Sequence, residues 1–276
     1  LGKVDYILTD SDRSLFLRHT HPGLQLAFDV GESHPVAWAL LKSEDVSLYV
    51  EMQRFFAGIR ADGQLEQLMD RYFGHTEDMS GDLDTALRRD YHKRLPRFKH
   101  WFIQAGRRYG LDWRLLAAVA YQESRWVREA VSPEGVRGLM MLTEDTAREL
   151  KVRDRTDPAT SIMAAAAYLR QTLANISEDI PEPDRTWYAL AAYNLGYAHI
   201  EEARDLVERK GRDPDKWIEI KKVLPKLGTL PRHGRREGQN KRGEVTVNYV
   251  THIRRCYDLL VWLTEQNGKP PGFTRL

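Results

Sequence analysis

The sequence predicts a mainly α-helical protein in which a small α/β piece precedes a larger, all-helical domain. Strand-like and helix-like patterns alternate through the first 73 residues, and after Asp82 helical periodicity is nearly unbroken. The 276 residues are 42% hydrophobic and 30% charged, enough apolar mass for one large domain or two smaller ones. With a mean hydropathy of −0.56, the composition excludes disordered and collagen-like chains. The longest apolar runs, Leu115 to Tyr121 and Ile162 to Leu169, fall far short of the roughly 20 residues that a membrane-spanning helix needs.

In chain order, residues 4–9 (Val-Asp-Tyr-Ile-Leu-Thr) and 36–41 (Val-Ala-Trp-Ala-Leu-Leu) read as short buried strands between polar turns. Val46 to Arg60 and Gly63 to Tyr72 carry helical spacing. Parallel strands need cover on both faces, so this front piece is expected to be the end of a larger α/β module whose remainder lies upstream. The opening residues have neither an initiating Met nor the shape of a signal peptide. The polar, turn-rich run from Gly74 to Asp82 places a linker at 76–83 between a module at 1–75 and a helical domain at 84–267.

Helices are expected over Leu83 to Tyr109, Trp113 to Trp126, Glu144 to Leu150, Pro158 to Ile176, Arg185 to Leu195, Ala198 to Lys210, Pro214 to Leu224 and Val245 to Gln266. Asp112 and Asp157 can each cap the helix that follows, with Pro158 at a first position where its missing donor costs nothing. Gly110, Gly196 and Gly211 sit where helices should stop. The tail 268–276, rich in Gly and Pro, cannot continue a helix and should lie extended.

Charge divides the chain: 7 Lys+Arg stand against 13 Asp+Glu in residues 1–80, net −6, and 35 against 27 after them, net +8. The basic part suits a polyanion, an anionic membrane or a carboxylate-rich wall polymer, and ordinary variation between domains is the plainer reading. The basic run Arg232 to Arg242 lacks the interleaved aromatics of a single-strand nucleic-acid platform, so no nucleic-acid partner is expected. Cys256 stands alone, which excludes a disulfide framework and paired-cysteine metal sites, and His19 and His21 are too isolated for zinc. No cofactor and no metal is implied.

Chemistry concentrates on one carboxylate. On the helix beginning near Trp113, Leu116, Val119 and Ala120 share a face with Glu123. A carboxyl group on such a stripe has its charged form disfavoured, which raises its pKa toward the value a general acid needs. The alternative is that Glu123 swings out to solvent or pairs with Arg125 or Arg128. Downstream, Ser132 to Met141 combines turn residues with Gly135 and Gly138, a loop whose backbone should approach something closely. Ala192-Tyr193-Asn194 then sets an aromatic and an amide beside a helix end, equipment for stacking on a sugar and bonding its polar groups. Singly, Tyr193, Asn194 and Met140 read as ordinary core and cap residues.

Taken in order, Gln122-Glu123-Ser124, Gly138-Leu139-Met140 and Ala192-Tyr193-Asn194, with Tyr249-Val250 on the last long helix, resemble the signature motifs of the family 1 lytic transglycosylases. The resemblance covers roughly residues 84–266 and implies a goose-type lysozyme-like helical fold. The front, with Asp5 to Ser11, Trp38 to Leu41 and Arg71 to Gly74, resembles the closing part of a periplasmic amino-acid-binding domain. That implies a solute-binding-like regulatory module, with Asp10 placed to grip an α-amino group; an exposed turn aspartate is the plainer reading of Asp10.

The resemblance implies cleavage of the β-1,4 bond between N-acetylmuramic acid and N-acetylglucosamine in peptidoglycan without net uptake of water. Glu123 would protonate the glycosidic oxygen, then act as base while the muramoyl C6 hydroxyl closes on C1 to give a 1,6-anhydro product. By the same resemblance Ser124 would orient Glu123, Gln122 and Ser132 would support the site, and Met140 with the backbone near Gly138 would line the cleft. Tyr193 and Asn194 would hold sugars and developing charge, and Tyr249 would close the site from the last helix. Glu244 lies near the place of a second acidic residue, with an exposed loop carboxylate as the alternative. Met141 stands where many members carry Gln, exchanging an amide hydrogen bond for an adaptable apolar contact.

Two rival readings stay open: a lysozyme-like or chitinase-like hydrolase using Glu123 with an activated water, and a noncatalytic wall-binding sensor. The resemblance further implies glycan strands as partner, a muropeptide or peptide stem as effector, and a place in the Gram-negative periplasm at the outer membrane. Cys256 lies too deep in the chain to be a lipoprotein cysteine.

Overall fold

A computed structural model of the chain describes residues 5–11, 13–14, 17, 26–32, 34, 36–74, 81–229 and 240–265. The linker residues 75–80, His19 and His21, most of the basic run and the tail lie outside the described residues. Eleven α-helices are described: α1 Ser47–Ala61, α2 Gln64–Phe73, α3 Gly81–Lys93, α4 Lys99–Tyr109, α5 Trp113–Ser124, α6 Glu144–Glu149, α7 Pro158–Asn175, α8 Asp184–Leu195, α9 Tyr197–Arg209, α10 Trp217–Val223 and α11 Asn240–Glu265. Two 3₁₀ turns, Leu95–Arg97 and Leu224–Thr229, interrupt the series.

The expected helix over Leu83 to Tyr109 is two helices. Pro96 sits in the intervening 3₁₀ turn, lacking an N–H for the ladder and restricting Leu95 before it. The two caps form as expected: Asp112 accepts from Arg114 N at 2.8 Å, and Asp157 accepts from Thr160 N at 2.9 Å. Gly110 closes α4 in the left-handed region at φ 64°. The last helix begins at Asn240, before the expected Val245.

The strands expected at 4–9 and 36–41 are not found; among the described residues there is no strand, and the one β-bridge joins Val131 to Arg137. A strand exists only with a partner to complete its hydrogen bonds, and no described segment supplies one. Leu8 and Leu41 are accordingly 86% and 94% exposed, and Trp38 is tied to α1 by an edge contact with Phe56.

The core is built on α5 and α11. Every residue of α5 from Leu115 to Tyr121 is buried, so the helix is apolar on all sides and runs through the middle of the domain. It packs on α4 and α11, while α11 packs also on α8 and the second 3₁₀ turn. Gly243 permits that last approach, since a Cβ there would run into the Leu224 carbonyl.

The helix α2, in the part of the chain read as the front module, docks on the helical domain through a buried polar cluster. Arg254 of α11, 2% exposed, donates to Asp70 Oδ2 at 3.1 Å and to the carbonyls of Asp70 and Arg71 at 2.6 and 3.1 Å. Lys221 of α10 reaches the other Asp70 oxygen at 3.0 Å. Gln67 donates to Asp184 at 2.8 Å, and Lys222 pairs with Glu66 at 2.6 Å.

Candidate active site

Glu123 occupies the last full turn of α5, where the buried helix meets the surface. The helix stops there because Arg125 and Trp126 both adopt left-handed backbone, φ 53° and 55°. Each such residue costs on the order of 1 kcal/mol. Trp126 offsets the cost: it is 1% exposed, packs edge-on against Tyr121 at 4.6 Å, and its indole N–H donates to the Ala117 carbonyl at 2.8 Å. The turn bearing Glu123 is therefore locked from behind.

The half-buried Glu123 carboxyl accepts a 2.7 Å hydrogen bond from the Tyr249 hydroxyl of α11. Burial pushes its pKa up from 4.5 to about 7, while the Tyr249 bond, which favours the charged form, opposes the rise. The buried hydroxyl of Tyr193 has no hydrogen-bond partner among the described residues. Burial first, and then the Glu123 charge, push both phenols well above their ordinary 10, so both remain donors. Among the described residues, the groups that bear on the Glu123 proton are thus two phenols, and neither is a carboxylate.

Around this centre the expected residues separate. Tyr193 and Tyr249 converge on Glu123 from α8 and α11. Asn194, exposed at the end of α8, accepts through Oδ1 from the Thr246 hydroxyl at 2.8 Å, a proton that hydroxyl shares with the Arg242 carbonyl at 2.9 Å. Gln122 is half-buried beside Glu123. Ser124 does not reach the carboxyl: its hydroxyl donates to Ala120 O of its own helix at 3.1 Å. Ser132 braces the loop, accepting from Val136 N at 3.2 Å and donating to Glu134 at 3.0 Å.

Gly138, at φ 99°, is the close approach expected of the loop, but toward protein: a Cβ there would lie 2.6 Å from the Arg155 carbonyl. Met140 is 1% exposed and belongs to the core, whereas Met141, at φ 46°, is only half-buried. Glu244 is exposed on α11. Five residues before Tyr249, it lies about 140° around the helix from it. Asp10 is exposed.

Two residues went unnoticed in the sequence. Thr246 precedes Tyr249 by one turn on the same face of α11, a spacing that could have marked it. Tyr168 of α7 lies against the Tyr193 ring at 5.2 Å between centroids, half-buried, and no local pattern singled it out.

Residues 100–216 match the Transglycosylase SLT domain. Over nearly its whole length the chain is similar to proteins named as lytic murein transglycosylases. It is 47% identical over 261 residues to the membrane-bound lytic murein transglycosylase F of Alcanivorax borkumensis, a match covering 95% of this chain and 56% of that one. The protein of the same name from Stutzerimonas stutzeri is 41% identical over 264 residues, covering 96% and 54%. Membrane-bound lytic murein transglycosylase F 1 of Alkalilimnicola ehrlichii is 44% identical over 263 residues, covering 95% and 53%. The chain thus spans about half the length of the curated relatives it matches. The SLT match holds Glu123, Gly138 and Tyr193 but stops short of α11, so the part played by Tyr249 comes from the geometry.

Proposed function

We propose that the chain is the catalytic part of a lytic murein transglycosylase, a lyase that cleaves the β-1,4 bond between N-acetylmuramic acid and N-acetylglucosamine and leaves a 1,6-anhydromuramoyl end. One observation carries the reading: Glu123 is a half-buried carboxyl shifted toward neutrality, faced by the phenols of Tyr249 and Tyr193, and no carboxylate among the described residues bears on its proton. Ordinary glycosidases set two carboxylates across the bond, separated by roughly 5 to 9.5 Å. A lone carboxyl near pKa 7 can serve both halves of the alternative reaction.

In its protonated form Glu123 gives its proton to the glycosidic oxygen as the C1–O bond breaks. The resulting carboxylate, held by the Tyr249 hydroxyl, accepts the proton of the C6 hydroxyl as that oxygen bonds to C1. The nucleophile belongs to the same sugar, so proximity replaces an activated water. Tyr193 and Asn194 are assigned to the sugar and its developing charge, with Gln122, Met141 and the loop around Gly138 along the cleft. Mass spectrometry of soluble products from purified peptidoglycan tests this. Products one water lighter than hydrolysis products, absent with Glu123→Gln, support the lyase; reducing-end products identify a hydrolase.

Residues 1–75 are assigned to a solute-binding-like regulatory module taking a muropeptide or peptide stem, with Asp10 on an amino group and residues 76–83 as linker. Its support is the exposed apolar side chains of Leu26, Phe28, Val30, Val36, Trp38 and Leu41, which call for cover, and the greater length of the relatives. The enzyme is placed in the periplasm at the outer membrane. The relatives are named as membrane-bound, and no helix among the described residues is long and apolar enough to cross a membrane.

A further inference from the structure

Helix α11 presents one flank to the catalytic carboxyl and another to α2. Tyr249 is on the first; Arg254, five residues on, lies about 140° around the helix and holds Asp70. The Arg254 guanidinium also lies over the ring of Trp187, 5.1 Å from its centroid, and Trp187 belongs to α8, the helix that carries Tyr193. One buried cation therefore touches both helices whose tyrosines meet at Glu123. Its own bonds run to three fixed oxygens: Oδ2 and the carbonyl of Asp70, and the carbonyl of Arg71. Three directed bonds to one turn of α2 fix the guanidinium in direction as well as place.

We propose that Asp70 is a positioning residue for Glu123: by holding Arg254 it sets the rotation and axial place of α11, and through them the seat of the Tyr249 hydroxyl. The helix read from sequence as the end of a separate module is, on this reading, a working part of the catalytic unit. The inference rests on Glu123 being the proton donor and extends that reading to a residue outside the SLT match. Asp70 is faced by Arg254 of α11 and Lys221 of α10, and Glu123 by Tyr249 of α11 and Tyr193 of α8.

The test follows the Glu123 carboxyl itself, by NMR titration of the chain carrying ¹³C-labelled glutamate side chains, with its signal assigned through Glu123→Gln. Tyr249→Phe sets the scale: removing a bond to the charged form should raise the midpoint by about one pH unit. Asp70→Asn should raise it by at least half as much and lower kcat on peptidoglycan while KM stays within about twofold. A second variant, Asp70→Leu with Arg254→Met, guards against simple unfolding, because apolar replacement of a buried ion pair is often neutral or stabilising. If that folded pair variant titrates as Tyr249→Phe does, Asp70 positions the site. If Tyr249→Phe moves the midpoint and both folded Asp70 variants do not, or if Tyr249→Phe leaves it unmoved, the proposal is overturned. Absence of turnover in the unsubstituted chain would instead overturn the enzymatic reading, with the titration still deciding the positioning role.

Discussion

Glu123 and Asp70 are both carboxylates taken out of water, and the molecule treats them in opposite ways. Glu123 is withdrawn from water with a phenol for partner and, among the described residues, no cation, and burial pushes its pKa up to about 7. Asp70 lies between Arg254 and Lys221, and these cations hold its carboxyl below the usual range despite a burial penalty that acts the other way. Burial alone does not decide where a carboxyl titrates; whether a cation faces it does. Asp70 is a permanent charge suited to holding a structure together, and Glu123 is a group that can give and retake a proton near neutrality.

The largest effect that could break this contrast is chemical. Glu123→Gln keeps the shape and removes the proton, so glycan turnover should fall by about 10²–10⁴-fold. Product assays with equal amounts of folded protein check it, and a variant retaining a tenth of the activity would remove Glu123 from the centre of the reaction. The matching change at the other carboxylate acts on stability. Asp70→Ala leaves Arg254 buried and unpaired, and urea unfolding should show a loss of about 3–5 kcal/mol.

The contrast also appears in pH, with opposite signs. The folded pKa of Glu123 is raised, so its proton is bound more tightly folded than unfolded. Its contribution to stability is full below its ordinary 4.5 and is lost as pH rises through about 7. Glu123→Gln should therefore match the unsubstituted chain near pH 4 and be the more stable by about 3 kcal/mol at pH 8. The folded pKa of Asp70 is lowered, so its contribution is present above its ordinary 3.8 and fades as pH falls through the lower folded value. Activity should decline above about pH 7, where Glu123 loses the proton it must donate. Tyr249→Phe should move that limb to higher pH and cost about tenfold in rate, within the range for a hydrogen bond to a charged group.

How much of this was readable beforehand follows from how local each signal is. The face that buries Glu123 with Leu116, Val119 and Ala120 is a spacing within one helix, and the caps Asp112 and Asp157 act over two or three residues, so both were legible. The break at Pro96 was legible too, but was overridden by the apolar spacing on either side of it. The strand readings fail because a strand is a property of pairs: Trp38 to Leu41 has the composition and no strand partner among the described residues. The resemblance gives Ser124 the task of orienting Glu123, yet in a helix neighbours in sequence point apart, and the hydroxyl donates to Ala120 O. The Asp70–Arg254 pair spans 184 residues and leaves no local trace.

The finest test of the contrast asks whether Asp70 needs both of its cations. Lys221 is a quarter exposed where Arg254 is almost fully enclosed, and it contributes one bond to Asp70 and one, at 3.3 Å, to the Gly74 carbonyl. An ammonium a quarter exposed is screened by water and keeps more of its freedom, so its bond should be worth about 1 kcal/mol or less. Lys221→Met retains the stem that packs beside Asp70 and removes only the charge. Urea unfolding should show a loss within that figure, with the Asp70 titration, followed by ¹³C labelling, rising toward its ordinary 3.8 while staying below it. A loss as large as that of Asp70→Ala would mean that the clamp is a three-body unit with no weak member. Arg254 alone would then not suffice to hold the clamp, and the difference between Asp70 and Glu123 would turn in part on a single, partly exposed lysine.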